Sequence, residues 1–64
     1  MKLNGKTVPV EKGQTLFEFL TAYQFDCKTI AVERNGAIVP KAEYESIRLS
    51  DEDILEIVRF VGGG

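Results

Sequence analysis

The sequence has no histidine, a single cysteine and no strong excess of either charge. Each scarcity narrows what the protein can do. One cysteine, Cys27, cannot close a disulfide within the chain, so no covalent staple supports the fold. A zinc site of the usual Cys/His kind is not expected. The commonest general acid–base side chain is also missing. The 8 basic and 10 acidic residues are well mixed and give a net charge of −2, without the basic stripe that marks a nucleic-acid binder. No apolar run approaches the length of a membrane span. The opening Met1-Lys2-Leu3-Asn4-Gly5 lacks the apolar core of a secretory signal. The expectation is a soluble, cytoplasmic protein that binds neither nucleic acid nor membrane.

The chain has 64 residues, which implies a single domain over 1–64. A chain this short buries only about 60% of its unfolded surface. Its stability must come from packing, for which a 44% hydrophobic content is ordinary. There is little room for a deep pocket, and an independent enzyme is not expected. Glu43, Glu45, Asp51, Glu52 and Asp53 read as a solvated face and turn rather than as paired catalytic carboxylates.

Taken in order, residues 1–10 read as a hairpin about Asn4-Gly5, because a type I′ turn needs positive φ at both central positions. Pro9 cannot donate a ladder bond, so the second strand should be an edge strand or bulged there. Thr15 reads as a helix N-cap, with Glu18 completing a capping box. The helix should run from Leu16 to about Tyr23 or Gln24, with Leu16, Phe19, Leu20 and Tyr23 as its buried stripe. Phe17 falls off that stripe. Cys27 lies in a connector and reads as an ordinary small residue, since only Lys28 supplies the nearby positive charge that activates a thiol.

Residues 30–34 read as a strand with Ile30 and Val32 on one face. Asn35-Gly36 is a second hairpin signal, leading into a short strand Ala37-Ile38-Val39 that Pro40 ends. Residues 41–46 read as a loop or a single helical turn anchored by Tyr44. Ile47 and Leu49 either pair briefly or plug the core. Ser50-Asp51-Glu52-Asp53 is a polar turn.

Residues 54–61 are the most strand-like stretch. Leu55 and Ile57 fall on one face; Ile54, Glu56, Val58 and Phe60 fall on the other. Glu56 marks the second face as the solvent side, which would expose Val58 and Phe60 and put Arg59 on the core side, past the core's edge. The alternative is that Val58 and Phe60 are the buried set. Together these elements give an α+β fold: a mixed four- to five-stranded sheet with one helix packed across one face, and the last strand placed centrally, parallel to the first.

That strand ends in Gly62-Gly63-Gly64. Glycine runs usually link ordered parts, but here the expected product is a free α-carboxylate on a bare stem. With no Cβ, such a stem can thread a channel that any side chain would block. The plain alternative is a frayed terminus.

With these elements in hand, the whole chain resembles the small sulfur carrier proteins of the ubiquitin-like β-grasp family, and within it the ThiS-type carriers of thiamin biosynthesis. The resemblance rests on Leu3-Asn4-Gly5-Lys6, on Thr15-Leu16-Phe17-Glu18-Phe19-Leu20, on residues 32–39 with Pro40, and on the closing run from Asp53 to Gly64. The terminal diglycine of the family maps onto Gly63 and Gly64; Gly62 adds a third glycine and lengthens the stem.

The resemblance implies a mechanism. A ubiquitin-activating-type adenylyltransferase (ThiF-like) threads Gly62 and Gly63 toward its own ATP. The Gly64 carboxylate becomes an acyl adenylate. Persulfide sulfur, supplied by a cysteine desulfurase, displaces AMP and leaves a thiocarboxylate. A thiazole synthase (ThiG-like) then takes the sulfur. The chain itself binds no cofactor and performs no catalysis, and Val58, Arg59, Phe60 and Val61 supply partner-binding surface. Rival readings are a sulfur carrier for molybdopterin synthase, a modifier transferred to lysines, and an interaction module with an inert tail. The short length and residues 32–36 favour the thiamin branch.

Overall fold

Two Asn-Gly turns frame the sheet in the computed structural model, which describes residues 1–60. Strands β1 (Lys2–Leu3) and β2 (Lys6–Thr7) pair antiparallel around the first turn, where Asn4 has φ 49° and Gly5 φ 85°. Strands β3 (Ile30–Arg34) and β4 (Ala37–Ile38) pair around the second, with Asn35 at φ 53° and Gly36 at φ 88°. Both turns therefore meet the positive-φ requirement read from the sequence. Strand β5 (Ile54–Arg59) lies between the hairpins, parallel to β1 and antiparallel to β3. The order β2-β1-β5-β3-β4 puts this strand at the centre of a mixed five-stranded sheet, as expected.

The strands are shorter than their sequence patterns. β2 is an edge strand that stops at Thr7, so Pro9 falls outside the ladder and removes no bond from it. β4 stops at Ile38, and Val39 is buried. β5 stops at Arg59, although the Phe60 N–H still donates to the Thr29 carbonyl at 2.9 Å.

Helix α1 (Leu16–Ala22) begins with the capping box. The Glu18 N–H donates to Thr15 Oγ1 at 3.1 Å and the Thr15 N–H to Glu18 Oε1 at 2.9 Å. Two more amides of its first turn are satisfied from residues 44–49: Leu16 N–H donates to the Ile47 carbonyl and Phe17 N–H to the Tyr44 carbonyl. An isolated bridge between Thr15 and Arg48 joins the same segments, while Leu49 is buried, so this stretch both pairs and plugs the core.

The helix ends earlier than its apolar spacing implied. Tyr23 is its C-cap and Gln24 takes a left-handed φ of 63°. Tyr23 was expected in the buried stripe but is 41% exposed. Its ring lies against Phe19, centroids 4.4 Å apart, beyond the last full turn that packs on the sheet. Phe17 is exposed to the same degree.

The core lies between the helix and one face of the sheet. Leu16, Phe19 and Leu20 meet Ile30, Val32, Leu55 and Ile57, and Met1, Val39, Tyr44 and Leu49 close the edges. Full burial of each aliphatic or Phe side chain contributes about 1.5–3 kcal/mol. Tyr44 anchors the segment after a 3-10 turn over Lys41–Glu43, as its isolated aromatic ring suggested. Cys27 is half-buried against the core in a 3-10 turn over Cys27–Thr29.

One residue of the polar turn is not solvated. Asp53 was expected on a solvent face with Asp51 and Glu52, but it is 5% exposed. Its Oδ1 accepts from Asn35 Nδ2 at 3.0 Å and its Oδ2 from the Ser50 N–H at 2.9 Å, and it pairs with Arg34 across 3.2 Å. A buried carboxylate is tolerable because these donors replace its hydration.

Candidate functional site

The helix covers one face of the sheet and leaves the other open. Alternation along β5 sends Leu55 and Ile57 inward and Ile54, Glu56, Val58 and Phe60 outward. The solvent-side reading marked by Glu56 therefore holds. Ile38 of β4 joins them, and Ile38, Ile54, Val58 and Phe60 are each between 52% and 65% exposed. These large apolar side chains gather on one open face as an exposed patch.

Arg59 faces the other way. Its guanidinium carbon lies 5.1 Å from the centre of the Phe25 ring, a cation–π contact at the rim of the core. The structure thus brings Val58 and Phe60 together on the open face and puts Arg59 at its edge. The Phe60 amide bond to Thr29 fixes the backbone at the same level. Val61 and the tail residues Gly62, Gly63 and Gly64 lie outside the described residues.

What holds β5 in place was only half visible in the sequence. The two turn asparagines act on this strand through their side chains. Asn4 Oδ1 accepts from the Ile57 N–H at 2.8 Å, and Asn4 Nδ2 donates to the Ile57 carbonyl at 3.3 Å. This amide pair extends the parallel β1–β5 ladder beyond the end of β1. On the opposite side Asn35 Oδ1 accepts from the Ile54 N–H at 2.9 Å, and Asn35 Nδ2 donates to Asp53. Burial pushes the Asp53 carboxyl upward, but donation from Asn35, from the Ser50 backbone and from Arg34, with the Arg34 charge, outweighs it and holds the carboxyl below its usual range. The central strand is gripped from both neighbours.

The outward face also carries an acidic pair. The β3–β5 register sets Glu33 directly opposite Glu56. Period-two alternation from Ile30 and Val32 already sends Glu33 outward, but only the register reveals what it faces.

The model of the ThiS family matches residues 1–64. The chain is 45% identical to the sulfur carrier protein ThiS of Bacillus subtilis, over 100% of this chain and 98% of that one. It is also 40% identical, over 97% of its length, to thiazole synthases of Magnetococcus marinus and Paramagnetospirillum magneticum, of which it spans 19%. The crystal structure of the thiamine biosynthesis protein (ThiS) from Geobacter metallireducens superposes with a TM-score of 0.78 at 27% identity, covering 98% of this chain and 96% of that one. The mixed sheet crossed by one helix is the ubiquitin-like β-grasp fold of that protein. The chain belongs to the ThiS family, the sulfur carrier proteins of thiamin biosynthesis.

Proposed function

We propose that the chain is a protein co-substrate, a single domain over 1–64 that partner enzymes act upon and that carries sulfur as a thiocarboxylate at Gly64. The observation that carries this reading is the way β5 is presented. A central strand, held by Asn4 and Asn35 and pinned at Phe60, leads directly into Val61-Gly62-Gly63-Gly64. Four residues fully extended reach about 14 Å, far enough to carry a carboxylate from the open face into a partner's active site. Gly62 and Gly63 leave that reach free of side chains.

The chemistry follows from the electrophile. A carboxylate resists nucleophilic attack until it has a leaving group. A ubiquitin-activating-type adenylyltransferase supplies one from its own ATP: a Gly64 oxygen bonds to the α-phosphorus and pyrophosphate leaves. A persulfide, its outer sulfur supplied by a cysteine desulfurase, attacks the acyl carbon and expels AMP. A second thiol then breaks the sulfur–sulfur bond, so that a disulfide forms and the thiocarboxylate departs. Thiolate-like sulfur makes it the better nucleophile for thiazole formation. The two longer thiazole synthase relatives contain a segment like this chain, which supports thiazole synthase as the acceptor. No helix among the described residues is long and apolar enough to cross a membrane, and the reaction belongs in the ATP-rich cytoplasm.

Partner recognition falls to Val58, Phe60 and Val61, with Arg59 at the rim, since aromatic and arginine anchors commonly dominate interfaces. Deleting Gly63 and Gly64 tests the reading. The shortened chain should melt at the same temperature as the parent and support no thiazole formation in a reconstituted system. Full activity without them would overturn the reading.

A further inference from the structure

Asparagine is a thermolabile side chain, and it is most labile when glycine follows it. The glycine nitrogen attacks the asparagine Cγ, ammonia leaves, and the succinimide so formed takes up one water to give aspartate or isoaspartate. A side chain on the second residue would hinder that attack, and glycine has none. Asn4-Gly5 and Asn35-Gly36 are both exposed to water. Each glycine lies between strands, and no described atom stands within 4 Å of where a Cβ would be. By dipeptide alone the two sites are equally liable.

Their surroundings make them unequal. Ring closure folds Cγ back onto the next nitrogen, so the side-chain amide must first release β5. The Asn4 amide holds only the Ile57 backbone, accepting at 2.8 Å and donating at 3.3 Å. The Asn35 amide accepts from the Ile54 N–H at 2.9 Å and donates to the buried Asp53 carboxylate at 3.0 Å. A hydrogen bond to an ionised group is roughly twice as strong as a neutral one. The supporting strands differ in the same direction. β1 meets β5 only at Lys2 and Leu3, whereas β3 meets it from Ile30 to Arg34. The segment with the shorter ladder opens at lower free energy.

We propose that Asn4 is a site of spontaneous deamidation in the folded protein, and that Asn35, in the same dipeptide, is protected by its bond to Asp53. Water is the only co-reactant, and one ammonia leaves for each water taken up. At position 4 the product sets a carboxylate oxygen where the Nδ2 donor faced the Ile57 carbonyl. The isoaspartate form also adds a methylene to the main chain at the turn. Either product adds one negative charge and loosens the seam between β1 and β5, the strand that leads into the tail.

The test incubates the full chain in mildly alkaline buffer, with and without strong denaturant, and follows deamidation by peptide mass over time. Trypsin puts the two asparagines on different peptides, Leu3–Lys6 and Asn35–Lys41. Each folded-state rate is divided by the rate of the same site in denaturant, which removes the effect of neighbouring sequence. On that scale Asn4 should react at least about fivefold faster than Asn35. The deamidated form, separated by its extra charge, should melt below the parent. In Asp53→Asn the Asn35 rate should rise toward that of Asn4 while the Asn4 rate stays put. Equal protection of the two sites, or an Asn4 that reacts only in denaturant, would overturn the inference. An unchanged Asn35 rate in a folded Asp53→Asn variant would overturn the role given to Asp53. If that variant does not fold, the wild-type comparison decides alone.

Discussion

At the first Asn-Gly turn the Asn4 amide bonds only to backbone, the N–H and carbonyl of Ile57. At the second, Asn35 bonds to the Ile54 N–H on one side and to a charged, buried carboxylate on the other. The dipeptide is the same, the left-handed φ at asparagine is nearly the same, and both side chains hold the same strand. The difference lies in the partner. The Asn4 grip is neutral and local to the β1–β5 seam. The Asn35 grip belongs to a cluster in which Asp53, Arg34 and Ser50 depend on one another. One clamp should therefore be insensitive to pH and modest in energy, and the other should be larger and titratable.

The sharpest way to break that contrast is to remove its charged member. Asp53→Ala strands Asn35 Nδ2, the Ser50 N–H and Arg34, whose Nε already lacks a partner. Chemical denaturation should show a loss of about 3 kcal/mol, since bonds to charged groups are worth more than neutral ones. The acid limb follows from the same residue. Its folded pKa lies below the ordinary 3.8, so its stabilisation is complete above that value and disappears as pH falls through the folded value. The stability gap between the wild type and Asp53→Asn should narrow across that window in melts at decreasing pH.

Paired substitutions at the turns come next in size. Asn35→Asp sets a carboxylate against Asp53 and should cost about 2 kcal/mol at neutral pH, with partial recovery in acid. Asn4→Asp keeps the acceptor for the Ile57 N–H but faces the Ile57 carbonyl with no donor. It should cost about 1 kcal/mol. If the two variants lost equal stability with equal pH dependence, the distinction between the clamps would be wrong. Phe25→Leu is the smallest expected effect. Loss of the contact under Arg59 should cost about 0.5 kcal/mol and free the guanidinium, visible as altered Arg59 side-chain resonances.

Local demands of the backbone are written in the sequence, and contacts between distant residues are not. Asn4-Gly5 and Asn35-Gly36 announce turns because positive φ is a local demand. Thr15 and Glu18 announce a helix start because the capping box spans only four consecutive residues. Alternation from Leu55 to Phe60 assigns the faces of β5 because the strand period is local too. What the asparagine side chains grip is not local: Asn4 reaches Ile57, and Asn35 reaches Asp53 and Ile54. Asp53 sits beside two exposed acids and nothing adjacent to it in sequence distinguishes it from them; its donors Arg34 and Asn35 come from another hairpin. Tyr23 continued a valid helical spacing, but the spacing does not say where the helix outruns the sheet. The opposition of Glu33 and Glu56 needed the register of two strands far apart in the chain. The chemistry proposed at Gly64 rests on resemblance to the sulfur carriers and on no local pattern in the chain.

The measurement closest to the central claim is the intact mass of the chain after incubation with its activating enzyme, ATP, a cysteine desulfurase and cysteine. The account predicts a gain equal to replacement of one oxygen by sulfur, localised by fragmentation to Gly64. An unchanged mass with an activating system that modifies another carrier of the family would contradict it.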